Sequence, residues 1–172
     1  MFQDEGRFGR ISDPCRCWGP HPIRPDVKAA MVREYLYAYA ALSPWDDCLD
    51  SLILPNADTE GMNIFLAEVA RRHPDDFIVL VLDGAGWHRA RALKVPANMT
   101  LLPLPPYSPQ LNPVEHLWAE LREKSFHNQV FASLDAVEER LCQALAAFEP
   151  DRARIHKLAA WPWINNLNLN AN

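Results

Sequence analysis

FIVLVLDGAGWH, residues 77 to 88, is the stretch on which the fold turns. Six consecutive apolar residues, four of them β-branched or aromatic, are too few for a membrane helix of about 20 residues. They suit a central strand covered on both faces. The strand delivers Asp83 at its carboxyl end, where open α/β sheets bind their ligands, so this carboxylate stands where metal or phosphate chemistry is done. An aspartate there serves equally well as a cap for the following turn. Gly84-Ala85-Gly86 lacks the third glycine of a dinucleotide fingerprint. His88, five residues on, is placed either to contact a metal-bound water or a phosphate or to make a structural hydrogen bond.

Upstream, Asp58 or Thr59 opens a helix to about Arg72, with Met62, Phe65, Leu66 and Val69 spaced three and four apart on one side. Before it, Val32 to Leu42 alternates, with Tyr35, Tyr37 and Tyr39 on one face and Leu36, Ala38 and Ala40 on the other. Ser43-Pro44 stops that strand and Cys48 to Leu54 resumes as its hairpin partner. Phe2 to Asp4 reads as the end of a strand. Downstream, a short helix near Ala90 and a short strand at Thr100 to Leu102 lead into five prolines between 103 and 113, which impose an extended loop. Helices follow from Asn112 to about Ser125, from Leu134 to Phe148 and from Asp151 to Ala160. The polar end, NNLNLNAN, reads as a disordered tail over 165–172.

Within 172 residues, 49% apolar, there is one domain's worth of core and no spanning segment. The charged start, MFQDEGRF, is no export leader, so a cytoplasmic location is expected. The four cysteines form no CxxC pair and are expected to be reduced. Cys15, Cys17 and His21 invite a zinc reading but lack a fourth ligand at suitable spacing. A net charge of −5 argues against a surface that grips nucleic acid everywhere. The charge is nevertheless segregated. Residues 7–33 carry a local +4 and residues 84–114 a local +3, against −7 over residues 34–76.

Two further carboxylate signals stand in the chain. In Asn112-Pro113-Val114-Glu115, Asn at N-cap, Pro at N1 and Glu at N3 make a capping arrangement in which Glu115 bonds back to its own helix start. Alternatively Glu115 points toward the sheet's carboxyl edge. Asp4 arrives on a strand within FQDE, beside Glu5, where an exposed terminal charge pair is the plainer reading. Three carboxylates from two strands and a helix would have a use, since hard divalent ions prefer oxygen ligands and two of them can stabilise both oxygens of an in-line phosphoryl displacement. An aspartyl-phosphatase reading of Asp83 fails on Ala85, where a second aspartate would be needed. Ser108 lies in no nucleophile elbow.

FQDEGRFGR, Trp18-Gly19-Pro20 with Arg24-Pro25, LDGAGWH and LPPYSPQLNPVEHLWAELR together resemble the DDE transposases of the insertion-sequence six-thirty family, a bacterial branch of the mariner superfamily. The likeness runs over roughly residues 1 to 165. It implies an α/β, ribonuclease-H-like mixed sheet flanked by helices over residues 1–164, truncated at its N-terminus. It implies Asp4, Asp83 and Glu115 as catalytic and metal-holding acids for two Mg²⁺ or Mn²⁺. It also implies phosphodiester cleavage at transposon ends followed by transfer of the 3′-hydroxyl strand into target DNA, usually at TA. Arg7, Arg10, Arg16, Lys28, His88, Arg89 and Arg91 are the expected DNA contacts. A homodimer is expected, as is a helix-turn-helix half supplied from another reading frame. The competing expectation is an inactive remnant with a structural or weak DNA-binding role.

Overall fold

Phe2, Asp4, Gly6 and Phe8 alternate with Gln3, Glu5, Arg7 and Gly9, and this period of two makes one long strand of them, β1 (Phe2–Ile11). The computed structural model describes residues 1 to 165, so the expected tail from 166 on lies outside the described residues. β1 pairs antiparallel with β2 (Met31–Ser43), which turns through residues 44–47 into β3 (Cys48–Leu54). Helix α1 (Thr59–Arg72) starts at Asp58, whose side chain accepts from the Gly61 amide. It leads into β4 (Ile78–Leu82), and β5 (Met99–Pro103) lies parallel beside β4. The sheet order is β3-β2-β1-β4-β5, mixed, with three antiparallel strands and two parallel additions. After the proline loop come α2 (Val114–Leu121), α3 (Leu134–Phe148), α4 (Arg152–Ala159) and the short α5 (Pro162–Asn165). No described helix is long and apolar enough to cross a membrane.

Each face of the sheet has its own core. Phe2 and Phe8 of β1 and Leu36, Ala38, Ala40 and Leu42 of β2 pack under α2, α3 and α4. On the other face Tyr39, Ala41, Leu80 and Leu82 pack under Met62, Phe65, Leu66 and Val69 of α1. The two faces of β2 are those its alternation predicts.

Several expectations need correction. Asp4 lies near the beginning of its strand, not at its end, because β1 continues through two glycines that weaken a strand pattern. Gly6 is required where it stands, since a Cβ there would lie 2.7 Å from Cδ2 of the buried Trp118 ring. We expect Gly6→Ala to cost about 1–3 kcal/mol by overpacking, read as a lower urea midpoint at unchanged slope. Phe77 stands outside β4 and is exposed, and Val79 and Val81 are only half-buried, so this strand is sealed on the α1 face and only partly covered on the other, where Val81 packs against the core under α2, α3 and α4. Helix α2 stops at Leu121 and loosens into a π-type turn over Arg122–Phe126. The α5 turn was not anticipated.

Candidate active site

β1 and β4 run parallel and share one registered pair, Phe2 with Val81. Carried two residues along both chains, that register sets Asp4 level with Asp83, where the strands part. α2 closes the gap from one side. A cleft of about 500 Å³ lies there, and Asp4, Asp83 and Glu115 all line it, with Arg89 and the proline loop around Tyr107 as its other walls. A contiguous opening, also bordered by the three acids, carries Arg7 and Arg122.

Asp4 is largely enclosed, and Asp83 is the most exposed of the three. Its Oδ2 accepts from the Trp118 indole N–H at 2.8 Å. Burial, and then the negative charge of Glu115, push its carboxyl up to about 7 against the pull of the Trp118 hydrogen bond. A folded-state value above the unfolded one means that the folded chain holds this proton more tightly. Stability of the metal-free chain is therefore expected to fall as pH rises from about 4 through 7, and millimolar Mg²⁺ or Mn²⁺ should reverse that loss in a melting-temperature series.

Asp83 is half-exposed, and only its Oδ1 is engaged, by the Ala85 amide at 2.8 Å and His88 Nδ1 at 3.0 Å. The ion-paired hydrogen bonds hold this carboxyl below its usual range. The side chain of His88 is 1% exposed and bridges Asp83 to Glu5, whose Oε1 stands 3.0 Å from Nε2. Burial opposes the charged imidazolium, but Asp83 and Glu5 outweigh it and lift His88 to about 9. His88 thus orients Asp83, with both of its ring nitrogens engaged inside the protein. Glu5 also accepts from Gln3 Nε2 at 3.0 Å and Trp87 Nε1 at 3.3 Å. Strand alternation turns it to the face opposite Asp4.

The capping alternative for Glu115 is decided by Asn112. Its Oδ1 accepts from the Val114 amide at 3.2 Å and its Nδ2 donates to the Gln3 carbonyl at 2.9 Å. One buried amide thereby caps α2 and fastens it to β1, and the Glu115 carboxylate makes no bond to the helix start. Asn112, Trp118 and Glu5 were missed as site residues. The spacing of Glu115 and Trp118, three apart on one helix flank, was the available signal for the indole.

An all-oxygen donor set with excess negative charge suits hard divalent ions rather than soft ones. The three acids share the cleft without all drawing within 4.8 Å of one another. Among the described residues the groups that do so are Asp13, Cys15 and His127, and Cys48, Asp50 and His73. Of the expected DNA contacts, Arg7, Arg16, Lys28, Arg89 and Arg91 are exposed. Arg7 lies over the Tyr35 ring at 4.7 Å. Arg10 is corrected. Its guanidinium pairs with Glu34 at 2.7 Å and donates to the Phe131 and Ala132 carbonyls, which makes it a structural tie between β1 and the residues before α3.

A family model described as DDE superfamily endonuclease matches residues 1–138. The "Uncharacterized protein y4pE/y4sA" of Sinorhizobium fredii (strain NBRC 101917 / NGR234) is 39% identical over 130 residues, which is 75% of this chain and 89% of that protein. Among solved structures, the pre-cleavage Mos1 transpososome superposes with a TM-score of 0.66 at 19% identity, over 92% of this chain and 52% of that one. The Mos1 strand transfer complex gives 0.64 at 20% identity, over 92% and 51%. The Mos1 mariner paired-end complex with Mn gives 0.64 at 18%, over 92% and 53%. The chain spans about half the length of these transposases. What they share with it is the fold, a ribonuclease-H-like mixed sheet flanked by helices.

Proposed function

The chain belongs to the DDE superfamily endonucleases, and from that premise we propose that Asp4, Asp83 and Glu115 are its catalytic, metal-holding acids. On this reading residues 1–164 form the catalytic domain of an insertion-sequence six-thirty transposase. It cleaves phosphodiesters at transposon ends and transfers the freed 3′-hydroxyl strand into target DNA, at TA. The observation that carries the reading is the single cleft bordered by all three acids, with Glu115 released from capping by Asn112.

Two Mg²⁺ or Mn²⁺ ions bound there would supply charge neutralisation at the attacking and leaving oxygens of an in-line displacement. The chain's own residues do the positioning. His88 and the Ala85 amide fix one oxygen of Asp83 and leave the other toward the cleft. Trp118 holds Asp4, and the Asn112 bond to β1 sets the height of Glu115 above it. Arg7 and Arg89 border the openings where a DNA backbone would enter, with Arg16, Lys28 and Arg91 as further phosphate contacts that position without reading sequence. A helix-turn-helix half from another reading frame would find the transposon ends, the working species would be a homodimer, and the setting cytoplasmic. Asp4 on a ten-residue strand, rather than at a frayed end, favours this over an inactive remnant.

The test is the chain joined to its upstream DNA-binding half, incubated with labelled end-bearing DNA. Cleavage that exposes a 3′-hydroxyl should need Mg²⁺ or Mn²⁺ and stop in EDTA. Equal cleavage in EDTA would overturn the reading.

A further inference from the structure

Residues 12–30, between β1 and β2, form an arm without regular structure, and its root is held to the turn that follows α2. Ser12 donates its amide to the Ala30 carbonyl at 2.9 Å and its hydroxyl to the Gln129 carbonyl at 3.1 Å. The Cys15 amide donates to Asn128 Oδ1 at 2.8 Å, and the Asn128 amide to the Asp13 carbonyl at 3.4 Å. The three bonds to Asn128 and Gln129 join segments more than a hundred residues apart in the chain and turn three metal-ligating side chains toward one point. A carboxylate oxygen of Asp13, the thiol of Cys15 and a ring nitrogen of His127 lie within 4.8 Å of one another.

The spacing fits a small tetrahedral ion. Two ligand atoms about 2.0–2.1 Å from such an ion stand about 3.4 Å apart. His127 Nε2 and Asp13 Oδ2 are separated by 3.4 Å, which is long for a hydrogen bond between them. One sulfur, one imidazole and one carboxylate form a borderline donor set, unlike the all-oxygen acids of the cleft. The group of Cys48, Asp50 and His73 is a weaker candidate, because Asp50 is already engaged by Arg72 at 3.2 Å and His73 at 2.6 Å.

We propose that Asp13, Cys15 and His127 form a metal site, separate from the carboxylate cleft, that takes a Zn²⁺-like divalent ion. A water fills the remaining tetrahedral position, and the ion clamps the root of the arm to the turn after α2. Cys17, two residues beyond Cys15 and exposed, is no ligand. The ion binds the thiolate of Cys15, whose proton passes to solvent on binding. Because α2 carries Glu115, the clamp fixes the arm relative to the helix that borders the cleft. The proposal does not depend on the transposase reading.

The test is a Co²⁺ titration of the whole reduced chain, followed by Zn²⁺ displacement. One equivalent of Co²⁺ should give a thiolate-to-metal charge-transfer band. That band should vanish in Cys15→Ser, should need at least about tenfold more Co²⁺ in His127→Gln, and should survive in Cys17→Ser and Cys48→Ser. Zn²⁺ should also slow tryptic cleavage after Arg16 and Lys28 several-fold in the wild-type chain and leave it unchanged in Cys15→Ser. Absence of the band, its survival in Cys15→Ser, or its loss in Cys48→Ser instead would overturn the proposal.

Discussion

Glu115→Gln is expected to lower metal-dependent cleavage of end-bearing DNA by at least about 10³-fold while leaving the melting temperature unchanged or higher. Residues that merely orient a metal ligand are worth about 10–100-fold, and loss of an anionic ligand itself removes both a donor and part of the neutralising charge. The stability side follows from the Asp4 environment. Glu115 is the second cause of the raised Asp4 value, after burial, so a neutral isostere relieves repulsion in the metal-free protein. Asn112 supplies the cap, so the glutamine change removes no bond from the helix start. The measurement is single-turnover cleavage by the fused protein alongside a melting curve. Activity within tenfold of wild type would remove Glu115 from the site, whereas a collapsed melting curve would show that its role is structural.

Trp118→Ala is expected to cost about 3–5 kcal/mol, the range for deleting a large aromatic from a packed core. Trp118 is 1% exposed, covers Gly6, and meets Phe8 edge-on at 5.9 Å between ring centroids. Trp118→Phe separates packing from polarity. It should lose less stability, yet it removes the indole donor to Asp4, so protons should compete harder with divalent ions for that carboxylate near neutral pH. Urea melts should rank wild type above phenylalanine above alanine. If the phenylalanine chain bound Mn²⁺ as well as wild type at pH 7, the indole would be a packing residue and nothing more.

How far the sequence carried depends on the kind of signal. Period-two and period-3.6 patterns located the β2–β3 hairpin and α1 and placed α3 to the residue, because burial on one face is written locally. β1 was readable only in its first three residues, since Gly6 and Gly9 carry no pattern and the need for Gly6 lies in Trp118, far along the chain. The three acids were nameable through ordered motifs, but their surroundings were not. Glu5 and His88 meet across 83 positions and Asn112 reaches Gln3 across 109, contacts that only the folded register creates. The surroundings of Arg10 were hidden for the same reason. As one cation in a basic stretch it reads as a phosphate ligand, and its partners Glu34, Phe131 and Ala132 are invisible until the chain folds.

The lone registered pair between β1 and β4 leaves the sheet as two ribbons joined at a narrow seam. Asp4 rides on one ribbon and Asp83 on the other, so any cation gripping both acts as a rivet across the seam. Amide exchange at Val81 and Leu104, whose N–H groups bond across β1–β4 and β4–β5, would then slow together when the rivet is in place.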